Sequence, residues 1–173
     1  MIFIATGHYP ESPGDGNNKP LGLIEHFEVK KIVRETCNYL KLLDISFKKV
    51  PIGNLQSKVN FINTNSSKGD ICIEIHLNKF DSNANYMAGL YYSNYGKKIS
   101  LYIGKSLLNF LPFEKYISFK PNRSLYFLKR TSIPAVIIEP LFCDNIIMAN
   151  YLLNKRSHII IGKALAIGLK KGL

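Results

Sequence analysis

Ile2-Phe3-Ile4-Ala5, running into Thr6 and Gly7, is followed from Ile24 to Leu43 by a stretch in which Val29, Ile32, Val33, Cys37, Leu40 and Leu43 recur at helical spacing. A short apolar run followed by a long amphipathic helix is the repeating unit of an α/β domain. The alternation continues along the chain. Ile45 to Val50 reads as a strand closed by Pro51 and Gly53, and Leu55, Val59 and Ile62 mark a short helix that the polar stretch Asn63 to Gly69 ends. Ile71 to Leu77 and Gly89 to Ser93 read as strands, and Lys97 to Leu111 reads as a helix stopped by Pro112. Leu125 to Lys129 and Ala135 to Glu139 are expected to be two further strands, and the chain closes in helical pattern from Asn145, with a break near Arg156. The expectation is one domain over residues 1–173, with a central, mostly parallel (mixed) sheet of about six strands flanked by helices. No internal repeat or low-complexity segment interrupts it.

The 173 residues are enough to bury an apolar core, and 46% hydrophobic with 20% charged residues is a globular profile. No apolar run approaches the roughly 20 residues of a membrane-spanning helix, so no transmembrane segment is expected. Met1 to Ala5 leads directly into polar Thr6, Gly7 and His8, which predicts synthesis in the cytoplasm without a signal peptide. Cys37, Cys72 and Cys143 are an odd number in apolar surroundings, as suits packed, reduced thiols. The net charge of +11 predicts attraction to polyanions. Its dispersal, without a helix-turn-helix, finger or RNA-recognition signature, argues against specific nucleic-acid binding.

In open parallel sheets the working groups gather beyond the carboxyl ends of the strands. His8, His76 and Glu139 fall at three such ends. Glu139 closes an apolar run with no obvious partner, so something cationic is expected nearby. Two imidazoles and one carboxylate make a catalytic zinc set with a fourth position left for water. For the third ligand the sequence leaves Glu11, Asp15, Glu25, Glu28, Glu74, Asp81 and Asp144 open.

Gly7-His8-Tyr9 with Pro13-Gly14-Asp15-Gly16, then Gly22-Leu23-Ile24-Glu25 opening a helix, then Ile75-His76-Leu77-Asn78, then Ile133 to Phe142 containing Glu139, with Asn145 behind it, appear in one order along the chain. With Gly89-Leu90-Tyr91-Tyr92 and Arg123-Ser124-Leu125, this pattern resembles the type 3 family of N-acetylmuramoyl-L-alanine amidases over nearly the whole chain. The resemblance implies zinc held by His8, Glu25 and His76, with Glu139 as the catalytic carboxylate. It implies hydrolysis of the amide between N-acetylmuramic acid and L-alanine, with peptidoglycan as substrate and partner. The preference for Glu25 over Glu28 comes from its place after Gly22-Leu23. The family usually carries a small polar residue where this chain has Glu74, which shares a strand face with His76 and can orient a ligand or contact substrate.

Other polar residues have plainer readings. His26 and His158 are expected to be structural or surface groups, Asn78 either a substrate contact or turn chemistry, and Pro13 to Gly16 first a turn and only then a substrate-lining loop. Of Tyr91 and Tyr92, one is expected in the core and the other exposed. The basic segment Tyr151 to Leu173 reads as a packed surface helix with a solvated face rather than a membrane-active one. A non-catalytic wall-binding module of the same fold and a zinc carboxypeptidase or endopeptidase acting on the peptide stem are the competing functions. The expected setting is a phage or prophage endolysin released through a membrane lesion, with the positive charge drawing it to anionic cell-wall polymers.

Overall fold

The computed structural model describes residues 1–14, 21–113 and 116–173. Six strands form one mixed sheet: β1 (Ile2–Thr6), β2 (Phe47–Lys49), β3 (Ile71–Ile75), β4 (Tyr86–Tyr91), β5 (Tyr116–Pro121) and β6 (Ala135–Glu139). Their spatial order is β2-β1-β3-β6-β4-β5. β2, β1, β3 and β6 run parallel; β4 is antiparallel to β6 and parallel to β5. The carboxyl ends of β1, β3 and β6 therefore share one rim, and the start of β4 lies on that same rim, since Ala88 pairs with Glu139.

Helices cover both faces of the sheet, which explains why the central strands are near-continuous apolar runs without polar alternation. On one face Ile2, Ile4, Ile73, Ile75, Val136 and Ile138 pack against α1 (Glu25–Leu42), α3 (Asn94–Phe110), α5 (Ile146–Leu153) and α6 (Lys155–Gly172). On the other, Phe3, Ala5, Cys72, Ala135 and Ile137 pack against α2 (Leu55–Asn65) and α4 (Tyr126–Arg130) through Val59, Ile62, Phe127 and Leu128. All three cysteines are free thiols. In α6, Lys155, Arg156, Lys163, Lys170 and Lys171 are exposed while Ile161, Leu165 and Leu169 are buried, so it is a packed helix with a basic solvent face. Among the described residues no helix is long and apolar enough to cross a membrane.

The expected class and six-stranded mixed sheet hold, but one strand stands elsewhere. Leu125 to Lys129, expected as a strand, belongs to the short helix α4, whose entry is set by Asn122: its side chain accepts from the backbone N–H groups of Ser124 and Leu125. The sixth strand is instead β5, whose aromatic and polar residues lie at the sheet edge and end on Pro121, a residue edge strands tolerate. Boundaries move inward or back: Ile45 to Val50 contracts to Phe47–Lys49, Ile71 to Leu77 contracts to Ile71–Ile75, Gly89 to Ser93 becomes Tyr86–Tyr91, and Ser93 caps α3 by accepting from Gly96 N–H. The C-terminal break falls at Asn154, whose side chain caps α6.

Candidate active site

β1 delivers His8, β3 delivers His76 and β6 delivers Glu139 to the shared rim, while Glu25 arrives from the first residue of α1, on the face lined by Ile4, Ile75 and Ile138. In that position the Glu25 carboxylate meets the positive end of the helix dipole. His8 Nε2 lies 3.2 Å from Glu25 Oε2, and His76 Nδ1 lies 3.1 Å from Glu25 Oε1. The ligand atoms of these three residues all fall within 4.8 Å of one another, which makes the trio a possible metal site. Burial opposes charge on Glu25, yet hydrogen bonds from His76 and His8 outweigh it and bring its carboxyl down to about 2. His76, also burdened by desolvation, is raised to about 10 because it stands between the carboxylates of Glu25 and Glu74.

The backbone is shaped around this cluster. His8 adopts a left-handed conformation, φ 56°, of the kind strained functional loops hold. Gly7 leaves room for the second imidazole, since a Cβ there would stand 2.6 Å from His76 Nδ1. Gly14, at φ +90°, folds the loop back so closely that a Cβ would lie 2.5 Å from Glu25 Oε2 and 2.8 Å from the His8 ring. Pro13 to Gly14 thus closes over the cluster; Asp15 and Gly16 lie outside the described residues.

Glu139 occupies the rim beside His76, one pair beyond the Ile75–Ile138 register. Burial pushes its carboxyl above the ordinary range, partly countered by the neighbouring His76 and reinforced by Glu25. Among the described residues no side chain hydrogen-bonds or ion-pairs with it. Among the described residues, His76 is the neighbour that favours charge on Glu139. The two imidazoles, Glu74 and Glu139 line a cavity of about 380 Å³, with Tyr9 and Ser12 on one side and Leu55, Leu90 and Tyr126 among its apolar walls. That volume suits a small-molecule or chain-segment subsite.

The remaining candidates for the third ligand sort themselves. Glu28 pairs with His158 at 2.7 Å and Lys31 at 2.8 Å, away from the cluster. Asp144 accepts from the N–H groups of Phe80 and Ser82, Asp81 from those of Asn83 and Ala84, and Glu11 is exposed. Glu74 sits beyond the far nitrogen of His76, its Oε2 3.2 Å from Nε2. His26 and His158 are both buried in packing, His26 Nδ1 standing 3.2 Å from the Gly7 carbonyl. Asn78 accepts from Lys79 N–H, and Asn145 caps α5. Tyr91 is in the core and Tyr92 is 45% exposed. The sequence reading missed Lys58, a buried ammonium bonded to Glu74; its signal was a lysine within the apolar stripe of α2, next to Val59 and one turn before Ile62.

The model of the N-acetylmuramoyl-L-alanine amidase family (Amidase_3) matches residues 2–171. The chain belongs to this family. As a member it is an enzyme of the N-acetylmuramoyl-L-alanine amidase class. The fold agrees. AmiC2, an N-acetylmuramoyl-L-alanine amidase of Nostoc punctiforme, superposes with a TM-score of 0.86 at 18% identity over 99% of this chain and 96% of that one. The CwlD amidase of Clostridioides difficile, solved in complex with the GerS lipoprotein, gives 0.85 at 22% identity over 99% and 97%. The catalytic domain of the CD27L endolysin, which targets Clostridia difficile, gives 0.77 at 21% identity over 98% and 96%. No curated protein matches the amidase chain.

Proposed function

We propose that residues 1–173 form one zinc-dependent amidase domain that hydrolyses the bond between N-acetylmuramic acid and L-alanine in peptidoglycan. The observation that carries the reading is the convergence of His8, Glu25 and His76 within 4.8 Å at a cavity that Glu139 also lines. Two imidazole nitrogens and one carboxylate oxygen fit zinc and leave a fourth position for water. When bound, zinc supplies a Lewis acid for the scissile carbonyl and a more acidic water.

The chain's own residues do the rest. Glu139 takes the proton of the attacking water and passes it to the departing amine nitrogen of L-alanine. Its raised carboxyl pKa suits a group that must both accept and release a proton. Glu25, bound on both oxygens by the imidazoles, holds His8 and His76 at one point. Leu55, Leu90 and Tyr126 give the cavity apolar walls against which the substrate packs.

Mass spectrometry of purified peptidoglycan after digestion tests the reading, with and without a zinc chelator. Stem peptides beginning in a free L-alanine amine are expected, and chelation stops their release. Cleavage inside the stem would make the chain a peptidase, and products unaffected by chelation would rule out zinc.

A further inference from the structure

Lys58 and Glu74 are both 3% exposed, an arrangement in which an ion pair normally costs more to desolvate than its attraction returns. Their bonding pattern gives them something to do. The Lys58 ammonium has three hydrogens and three acceptors: Glu74 Oε1 at 2.9 Å, the Thr6 carbonyl at 2.5 Å and the His8 carbonyl at 3.3 Å. One side chain from α2 therefore ties the end of β1, the backbone of His8 and the middle of β3. The second oxygen of Glu74 stands 3.2 Å from His76 Nε2, while His76 Nδ1 faces Glu25. An imidazole with its Nε2 hydrogen given to Glu74 presents the Nδ1 lone pair to the His8–Glu25 cluster.

We propose that the Lys58–Glu74 pair is a positioning device for the metal site: Glu74 fixes which nitrogen of His76 carries the hydrogen, and Lys58 anchors both Glu74 and the carbonyl of His8. The proposal rests on the zinc reading above and deepens it. Glu74 is not a fourth ligand, because it lies past the nitrogen opposite the cluster. Nor is it a generic filler of the strand: its carboxylate is shared between two donors, Lys58 and His76, one on each oxygen. A glutamine in its place has one acceptor oxygen and cannot serve both.

The test uses the full chain with zinc alone as the probe. Zinc affinity is measured by chelator competition, and the histidine protonation pattern of the zinc-loaded protein is read by nitrogen-15 NMR, for the wild type, Glu74→Gln and the double variant Lys58→Met with Glu74→Gln. The double variant removes both buried charges, so it decides the matter if the single one does not fold. Affinity is expected to fall about 10–100-fold in the variants, with the His76 hydrogen no longer confined to Nε2. A loss of stability alone would leave the protonation pattern unchanged, so that signature separates positioning from packing. If the wild type takes up no zinc, the zinc reading itself fails. Zinc bound as tightly by the folded variants as by the wild type, with His76 still protonated at Nε2, overturns this proposal and leaves the zinc reading standing.

Discussion

Two buried acid–imidazole contacts lie a single turn apart on α1, and their surroundings differ. Glu25, 3% exposed, meets His8 and His76; Glu28, 7% exposed, meets His158 and Lys31. Both carboxyls are penalised by burial and still held below the ordinary range by their hydrogen-bonded partners. A low carboxyl pKa therefore does not distinguish them. The difference is in what surrounds each pair. Glu28 joins α1 to α6, using one imidazole from a helix and one ammonium from its own helix. Glu25 gathers two imidazoles from separate strand ends, and a further carboxylate, Glu139, stands beside them in the cavity. Two imidazoles and a second carboxylate converging at strand ends carry the proposed chemistry; a carboxylate whose two oxygens are already taken, between two helices, serves packing.

The sharpest way to break this contrast is to remove one imidazole from each pair. His76→Ala is expected to reduce zinc content from near stoichiometric to near none and hydrolysis to background, measured by metal analysis and muropeptide release. His158→Ala retaining full zinc content would complete the contrast, and an equal loss of zinc in both would erase it. Glu139→Gln comes next: kcat is expected to fall roughly 10²–10⁴-fold, the usual worth of a positioned proton carrier, with zinc still bound. A wild-type rate in that variant would remove Glu139 from the reaction.

Glu28→Gln sharpens the other side. It leaves His158 and Lys31 without a charged partner and is expected to cost about 1–3 kcal/mol of stability near neutral pH, measured by denaturant unfolding. The sign with pH follows from the lowered native pKa. The stabilisation is present above the unfolded-state carboxylate value and is lost as pH falls through the depressed native one, so the variant's deficit should shrink in acid. A deficit that stayed constant through the acid range would point to shape rather than charge. The smallest effect is expected from Lys170→Ala with Lys171→Ala on the exposed face of α6, within about ±0.5 kcal/mol.

How much of this was legible beforehand varied with where the signal sat. The buried strands declared themselves because both faces are covered, leaving unbroken runs such as Ala135 to Ile138. β5 did not, because an edge strand of aromatic and polar residues lacks such a run. Tyr126 to Leu128 misled in the other direction: strand-like aromatic and apolar residues form a helix because Asn122 turns the chain before them. At the site, strand-end placement pointed to His8, His76 and Glu139, spacing left seven acids open as third ligand, and only the resemblance, through Gly22-Leu23, singled out Glu25. What separates Glu25 from Glu28 is which partner each meets across the fold, and no local pattern encodes His158 lying 130 residues away. Lys58 did carry a local signal, its place in the apolar stripe of α2, but its acceptors lie on two strands of the sheet and the stripe does not name them.

The reversed direction of β4 has its own consequence. Between His76 and Tyr86 the chain bridges across to Phe142 just past the end of β6 and re-enters the sheet at the edge where it left. A parallel β4 would have required a return passage beneath the domain. A segment that departs and lands on one lip can gain or shed residues while every buried strand keeps its pairing. In a family whose members keep the frame while sequence drifts, this connection can change length on the rim of the catalytic strands at little cost to folding.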